Sequence, residues 1–171
     1  FGLDGSEIRK RIERARDAAV ERADGEREQL RLHEPDADHR RCDELWAPIE
    51  EVADDLPAAR ARWTTFDKAM RRHFAMEEEV LFPALEDATG MHGGGPTHVM
   101  RMEHAQMKHM LEEMNAAVER GDLGAALDQG DTLLMLIQQH NVKEEGILYP
   151  MADNVLGGAW TEIAERLKKY D

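Results

Sequence analysis

Residues 73–83, His73-Phe-Ala-Met-Glu77-Glu78-Glu-Val-Leu81-Phe82-Pro83, are written a second time at residues 140–150, as His140-Asn-Val-Lys-Glu144-Glu145-Gly-Ile-Leu148-Tyr149-Pro150. The shared pattern is His-x-x-x-Glu-Glu-x-x-Leu-aromatic-Pro. The doublets Asp38-His39 and Glu103-His104 stand at similar distances upstream of the two copies. Such a chain is a doubled unit, each half a helical hairpin giving one His from its first helix and a His/Glu pair from its second. Folding the halves together about a pseudo-twofold axis collects His39, His73, Glu77, His104, His140 and Glu144. Residues four apart on a helix face the same way, one turn of rise apart, so the imidazole and carboxylate of each pair converge.

The rest of the chain supports helices throughout. Gly and Pro are sparse, and between them apolar residues recur at spacings of three and four. Helix A starts near Pro35 and Asp36 and carries His39, Cys42, Trp46, Ile49, Ala53 and Leu56 on one stripe, with a kink expected at Pro48. Helix B follows Pro57, aligns Trp63, Phe66, Met70, His73, Glu77 and Val80, and ends near Pro83. After Gly93-Gly94-Gly95, Pro96 opens helix C, whose stripe is Met100, His104, Met107, Leu111, Met114 and Val118 before Gly121 stops it. Asp122 is expected to cap helix D, with Leu133, Ile137, His140, Glu144 and Ile147 on its apolar side and an end at Tyr149-Pro150. A short C-terminal helix runs from about Gly158 to Lys169. The expected fold is all-α, an antiparallel up-down four-helix bundle over residues 35–171. Residues 1–34 form an N-terminal helical appendage, capped at Ser6 and thinly apolar through Ile8, Ile12, Ala15, Ala19 and Val20, suited to weak docking, a protein partner or self-association.

The six convergent side chains lie in stripes otherwise made of Leu, Ile, Met, Phe and Trp. An unpaired carboxylate there is costly to desolvate and finds a cation or a proton. Imidazole nitrogen with carboxylate oxygen suits iron, manganese or zinc. Six protein ligands point to two metals, with Glu77 and Glu144 as candidate bridges.

Composition narrows the partners. Lys and Arg number 22 against 36 Asp and Glu, a net charge of −14, which repels nucleic-acid phosphates and anionic lipid headgroups. Cys42 is the one cysteine, so neither an internal disulfide framework nor a thiolate zinc knuckle can form. No apolar stretch approaches the ~20 residues of a bilayer span, and the sequence shows no signal-peptide core. A soluble, cytoplasmic protein is expected.

The doubled motif over roughly residues 36–156 resembles the hemerythrin-like family, four-helix non-haem di-iron proteins also described as the HHE cation-binding domain. Position by position, the resemblance makes His39 the lone ligand of the first helix, His73 and Glu77 the pair of the second, His104 that of the third, and His140 with Glu144 that of the fourth. It implies two Fe ions in an oxo- or hydroxo-bridged di-iron centre that binds O2, NO or peroxide. Hemerythrins proper carry a fifth His one turn after the third-helix ligand, where this chain has Lys108. The departure implies open positions on either iron and a more reactive site, with Lys108 near the centre as a source of a proton or positive charge.

The remaining polar residues read less sharply. Glu78 and Glu145 are turned ~100° from the stripes and suit support of a ligand or a solvated role. Asp43, four residues after His39, suits orienting its imidazole. His33, His92, His98 and His109 read as surface histidines, with His98 and His109 as reserve fifth ligands. Cys42 reads as a small buried hydrophobe, and the methionines of helix C as core filling that leaves a flexible route for diatomic gas. The leading function is a di-iron module binding O2 or a related small oxidant as carrier, sensor or reservoir. Its rivals are an oxidoreductase acting on peroxide or NO, an iron donor in iron-sulfur repair, and a metal-free scaffold. A ferritin-type ferroxidase is disfavoured because the Glu-x-x-His pairs of that site are missing.

Overall fold

The structure is a computed structural model that describes residues 35–52 and 54–170. The expected N-terminal helix with its cap Ser6, and likewise His33 and Ala53, lie outside the described residues. Among those described, regular structure is entirely helical.

Helix α1 (Pro35–Glu51) holds Pro48 within its span. It stops short of the stripe expected for helix A, and Leu56 belongs instead to α2 (Leu56–Met76). The reason is local. The Asp55 carboxylate accepts a hydrogen bond from the Ala58 amide at 3.2 Å, and Pro57 occupies the first turn, so a new helix starts here.

The second rod does not end at Pro83. It widens into a π-helical turn (Glu77–Leu81) and continues as α3 (Phe82–Thr89) until Gly90 caps it in the left-handed conformation, φ +72°. Proline lacks the amide hydrogen and its ring clashes with the carbonyl four residues back. A π turn resolves this conflict. The Phe82 amide reaches back five residues to the Glu77 carbonyl, and Pro83 then falls in the first turn of a fresh helix, where its missing donor costs little. The carbonyls of Glu78 and Glu79 accept from Arg101 Nη1 at 3.2 Å and Arg166 Nη2 at 3.4 Å.

The second copy of the motif does the same. Helix α4 (Gly95–Arg120) ends at left-handed Gly121, φ +83°, as expected. Asp122 caps only a short helix, α5 (Leu123–Leu127), with its carboxylate accepting from the Ala125 amide. The fourth rod proper begins later as α6 (Gly130–Lys143), where the backbone passes so close to Trp46 that a Cβ on Gly130 would lie 2.3 Å from the indole. A π turn (Glu144–Leu148) follows, the Tyr149 amide reaching the Glu144 carbonyl. The rod continues past Pro150 as α7 (Tyr149–Leu156) rather than ending there, and α8 (Trp160–Leu167) closes the described chain between two short 3-10 turns. Widening the turn also re-aims side chains: Leu148 is buried, whereas Ile147, expected on the apolar stripe, is 58 % exposed.

The rods contact one another in the pairs α1 with α2, α2 with α4, α4 with α6 and α3 with α7. Their buried faces form two apolar clusters. One gathers Trp46, Trp63, Phe66, Met70, Phe74, Met107, Leu111, Met114, Leu133 and Ile137, with the Trp46 ring edge-on to Trp63 and Phe66. The other gathers Val80, Leu81, Phe82, Leu85, Met100, Leu148, Ala152, Leu156 and Ile163.

Candidate metal centre

The six histidines and glutamates singled out by the repeat sit at the junction of these clusters. On α4, His104 lies between Met100 of one cluster and Met107 of the other, and on the second rod Glu77 lies between Phe74 and Val80. Each of the six is at most 5 % exposed. The sequence delivers them there because His73 to Glu77 and His140 to Glu144 each span one turn, and both glutamates stand at the entrance of a π turn.

Two donor groups form, and Glu144 belongs to both. One is His39, His73 and Glu144; the other is Glu77, His104, His140 and Glu144. Glu144 Oε2 lies 3.0 Å from His39 Nε2 and 3.8 Å from His73 Nε2, while its Oε1 lies 2.8 Å from His140 Nε2 and 4.0 Å from His104 Nε2. Glu77 Oε2 is 3.3 Å from His104 Nε2 and 3.6 Å from His73 Nε2. His104 Nε2 and His140 Nε2 are 2.9 Å apart.

An outer ring of carboxylates holds the far side of three imidazoles. His39 Nδ1 donates to Glu145 Oε1 at 2.9 Å, His104 Nδ1 to Glu78 Oε1 at 3.0 Å, and His140 Nδ1 to Glu103 Oε2 at 2.9 Å. Donation at Nδ1 leaves the Nε2 lone pair of each neutral ring facing inward. Lysines anchor two of these carboxylates: Lys108 Nζ lies 2.7 Å from both oxygens of Glu78, and Lys143 pairs with Glu103. Burial pushes the Glu78 and Glu103 carboxyls up, but the lysine and histidine beside each outweigh it and hold both below the usual glutamate value.

This ring fits a cation. Inward-facing nitrogen lone pairs confront carboxylate oxygens across 2.8–4.0 Å with no donor between neutral rings and ionised acids. Glu77 Oε2 and Glu144 Oε1 are buried polar atoms without a hydrogen-bond partner, a costly state that a divalent metal relieves. Where protons alone must serve, they are shared: burial pushes the His140 imidazolium down, but Glu144 and Glu103 outweigh it and raise its affinity for a proton. Burial likewise pushes the Glu144 carboxyl up, and its contacts with His140, His39 and His73 drive it well below the usual range. A set of imidazole nitrogens and carboxylate oxygens is a borderline-to-hard donor set suited to iron, manganese or zinc.

Several expectations need adjusting. Glu78 and Glu145, open between supporting and solvated roles, both hold an imidazole. Glu145 takes the place expected for Asp43, which is exposed while Glu145 occupies His39 Nδ1. Lys108 is bound to Glu78 instead of facing the centre. His98 and His109 are exposed, His109 pairing with Glu113 along its own helix, so neither serves as a fifth imidazole, and His92 is exposed beside Asp87. Cys42 is buried as expected and lines a cavity of about 10 Å3 against the centre, with Met70, Phe74, Met107 and Ile137.

Two residues of the site escaped sequence reasoning. Glu103 was visible only as the neighbour of His104, although its doublet with that histidine mirrors Asp38-His39. Tyr149 was visible only as the aromatic of the motif, and the one signal for it was that the other copy has Phe82 in its place. Its hydroxyl lies 2.8 Å from Glu77 Oε1 and 3.0 Å from Glu144 Oε2. Burial and the two carboxylates raise its phenol well above the usual value, so without a cation the proton stays on oxygen.

No curated protein and no solved structure matches the chain. The hemerythrin HHE cation-binding domain matches residues 6–152, a span that holds all six convergent residues and both copies of the motif and starts upstream of the motif-bearing stretch. The chain therefore belongs to the hemerythrin HHE cation-binding domain family.

Proposed function

We propose that the buried cluster holds two iron ions and that the protein binds O2 or a related small oxidant, as carrier, sensor or reservoir. The observation that carries this reading is the sharing of Glu144, whose two oxygens face separate groups of inward-pointing imidazole nitrogens. When bound, the irons would supply an electrophilic, redox-active centre for a small ligand. The chain supplies the rest. Glu145, Glu78 and Glu103 fix the tautomer and tilt of three ligand rings. Phe74, its ring 4.3 Å from that of His104, and Phe82, stacked on His104 at 5.6 Å, keep that flank dry. The small cavity beside His39, His73 and His140 is walled by Cys42, Met70, Met107 and Ile137, and leaves space on the scale of a single water. The same reading takes the rods as an antiparallel up-down bundle over residues 35–171, residues 1–34 as an appendage, and the cytoplasm as the place of action.

The test is anaerobic loading of the full chain with ferrous iron, metal analysis, and titration with O2, NO and peroxide. Two irons per chain and saturation after one ligand per iron pair are expected. A chain that retains no metal overturns the proposal, and sustained consumption of peroxide or NO replaces binding by an oxidoreductase function.

A further inference from the structure

We propose that Tyr149 is a seventh protein donor to this centre, its phenolic oxygen coordinating the cation held by His39, His73 and Glu144. The inference rests on the metal-centre reading above and adds a ligand outside the His/Glu set, from the aromatic position of the motif where the other copy has Phe82. Two donor atoms on neighbouring corners of an octahedron, each about 2.1 Å from the cation, sit about 3.0 Å apart. His39 Nε2 and Glu144 Oε2 are 3.0 Å apart; Tyr149 Oη is 3.0 Å from the same Glu144 oxygen and 3.4 Å from the same nitrogen. The three atoms therefore form one triangular face of an octahedral site. Glu144 and Tyr149 stand five residues apart across the second π turn and His39 comes from α1, so the widened turn sets two corners of the face and helix packing brings in the third.

The hydrogen count favours the same conclusion. A phenol has one hydrogen and Tyr149 Oη has two carboxylate oxygens at hydrogen-bond distance, Glu77 Oε1 and Glu144 Oε2. Donation satisfies one of them and leaves unshared pairs facing each other on the other. A cation between Oη, Glu144 Oε2 and His39 Nε2 relieves that opposition. As the metal–oxygen bond forms, the O–H bond breaks and its proton leaves to solvent, with no change in oxidation state.

The pseudo-twofold partner of Tyr149 isolates the role of the oxygen. Phe82 stacks on His104 with centroids 5.6 Å apart and planes at 25°, as Tyr149 stacks on His39 at 6.0 Å and 28°. The two rings pack alike, and the hydroxyl is what the Tyr149 side adds. An anionic oxygen donor on one side alone makes the two cation positions chemically unequal. It also supplies from the fourth rod an extra donor that Lys108, His98 and His109 on the third do not.

The full chain is loaded with iron, oxidised with ferricyanide and examined by visible absorption and by resonance Raman excited in the visible band. A phenolate-to-ferric charge-transfer band with enhanced tyrosinate ring modes is expected. Tyr149→Phe, which copies the Phe82 arrangement, should keep the iron content, lose the band and release one proton fewer on loading. Tyr170→Phe, which alters the other tyrosine of the sequence, should keep the band. Iron-loaded protein without tyrosinate modes, or a band that survives in Tyr149→Phe, overturns the assignment while leaving the metal centre standing. A chain that binds no iron overturns both.

Discussion

Replacing Glu144 by Gln tests the centre most directly, because the substitution keeps the side-chain shape in a fully buried position and removes a charge and an anionic donor. The carboxylate faces His39 and His73 through Oε2 and His140 and His104 through Oε1, so one substitution weakens both donor groups. Loss of a residue that merely supports a metal ligand costs ~10–100-fold in affinity, which makes ~100-fold per cation a lower bound for losing a ligand itself. That factor corresponds to about 2.7 kcal/mol per site and about 5 kcal/mol for two sites at saturating metal. For a chain of this size each kcal/mol moves the melting temperature by ~2–4 °C, so the gap between metal-loaded and chelated protein should shrink by roughly 10–20 °C. The assay is differential scanning calorimetry of each variant with iron and after chelation. Comparing the two states of the same variant cancels any effect of the substitution on the fold itself. A gap in Glu144→Gln equal to that of the unsubstituted chain refutes the shared-ligand argument.

Two further outcomes follow from the packing and the charges. Gly130→Ala should lower the urea midpoint, since a Cβ 2.3 Å from Trp46 overpacks the core at about 1–3 kcal/mol against about 0.5–1 kcal/mol gained in helix propensity; a raised midpoint refutes this. In metal-free protein, the lowered carboxyls of Glu78 and Glu103 contribute stability that is complete above the ordinary glutamate value of 4.5 and is lost as pH falls through their lowered values. Lys143→Met should therefore reduce stability above that pH and converge with the unsubstituted chain in strong acid; acid-unfolding curves that coincide throughout contradict the assigned pairing.

The long rods and the six convergent residues were legible because helical spacing and an internal repeat are both properties of residue order. His39 and His104 could be matched although neither has a glutamate one turn on, since each stands in the same place within its half. What the sequence hid was geometry that departs from the straight α-helix. Pro83 and Pro150 read as terminators, but each follows a widened turn that lets the rod run on, and the same widening turned Ile147 out to solvent. Which imidazole each outer carboxylate holds was hidden for a different reason. Glu145 reaches His39 and Glu103 reaches His140 across helix neighbours, and long-range pairing of this kind leaves no periodic trace.

The two π turns fall on equivalent residues, Glu77–Leu81 and Glu144–Leu148. A π turn amounts to a single residue gained within a regular helix. Both copies carry the gain at the same letter of the motif, so in each half the buried glutamate and the aromatic residue before the proline stand five residues apart across one widened turn.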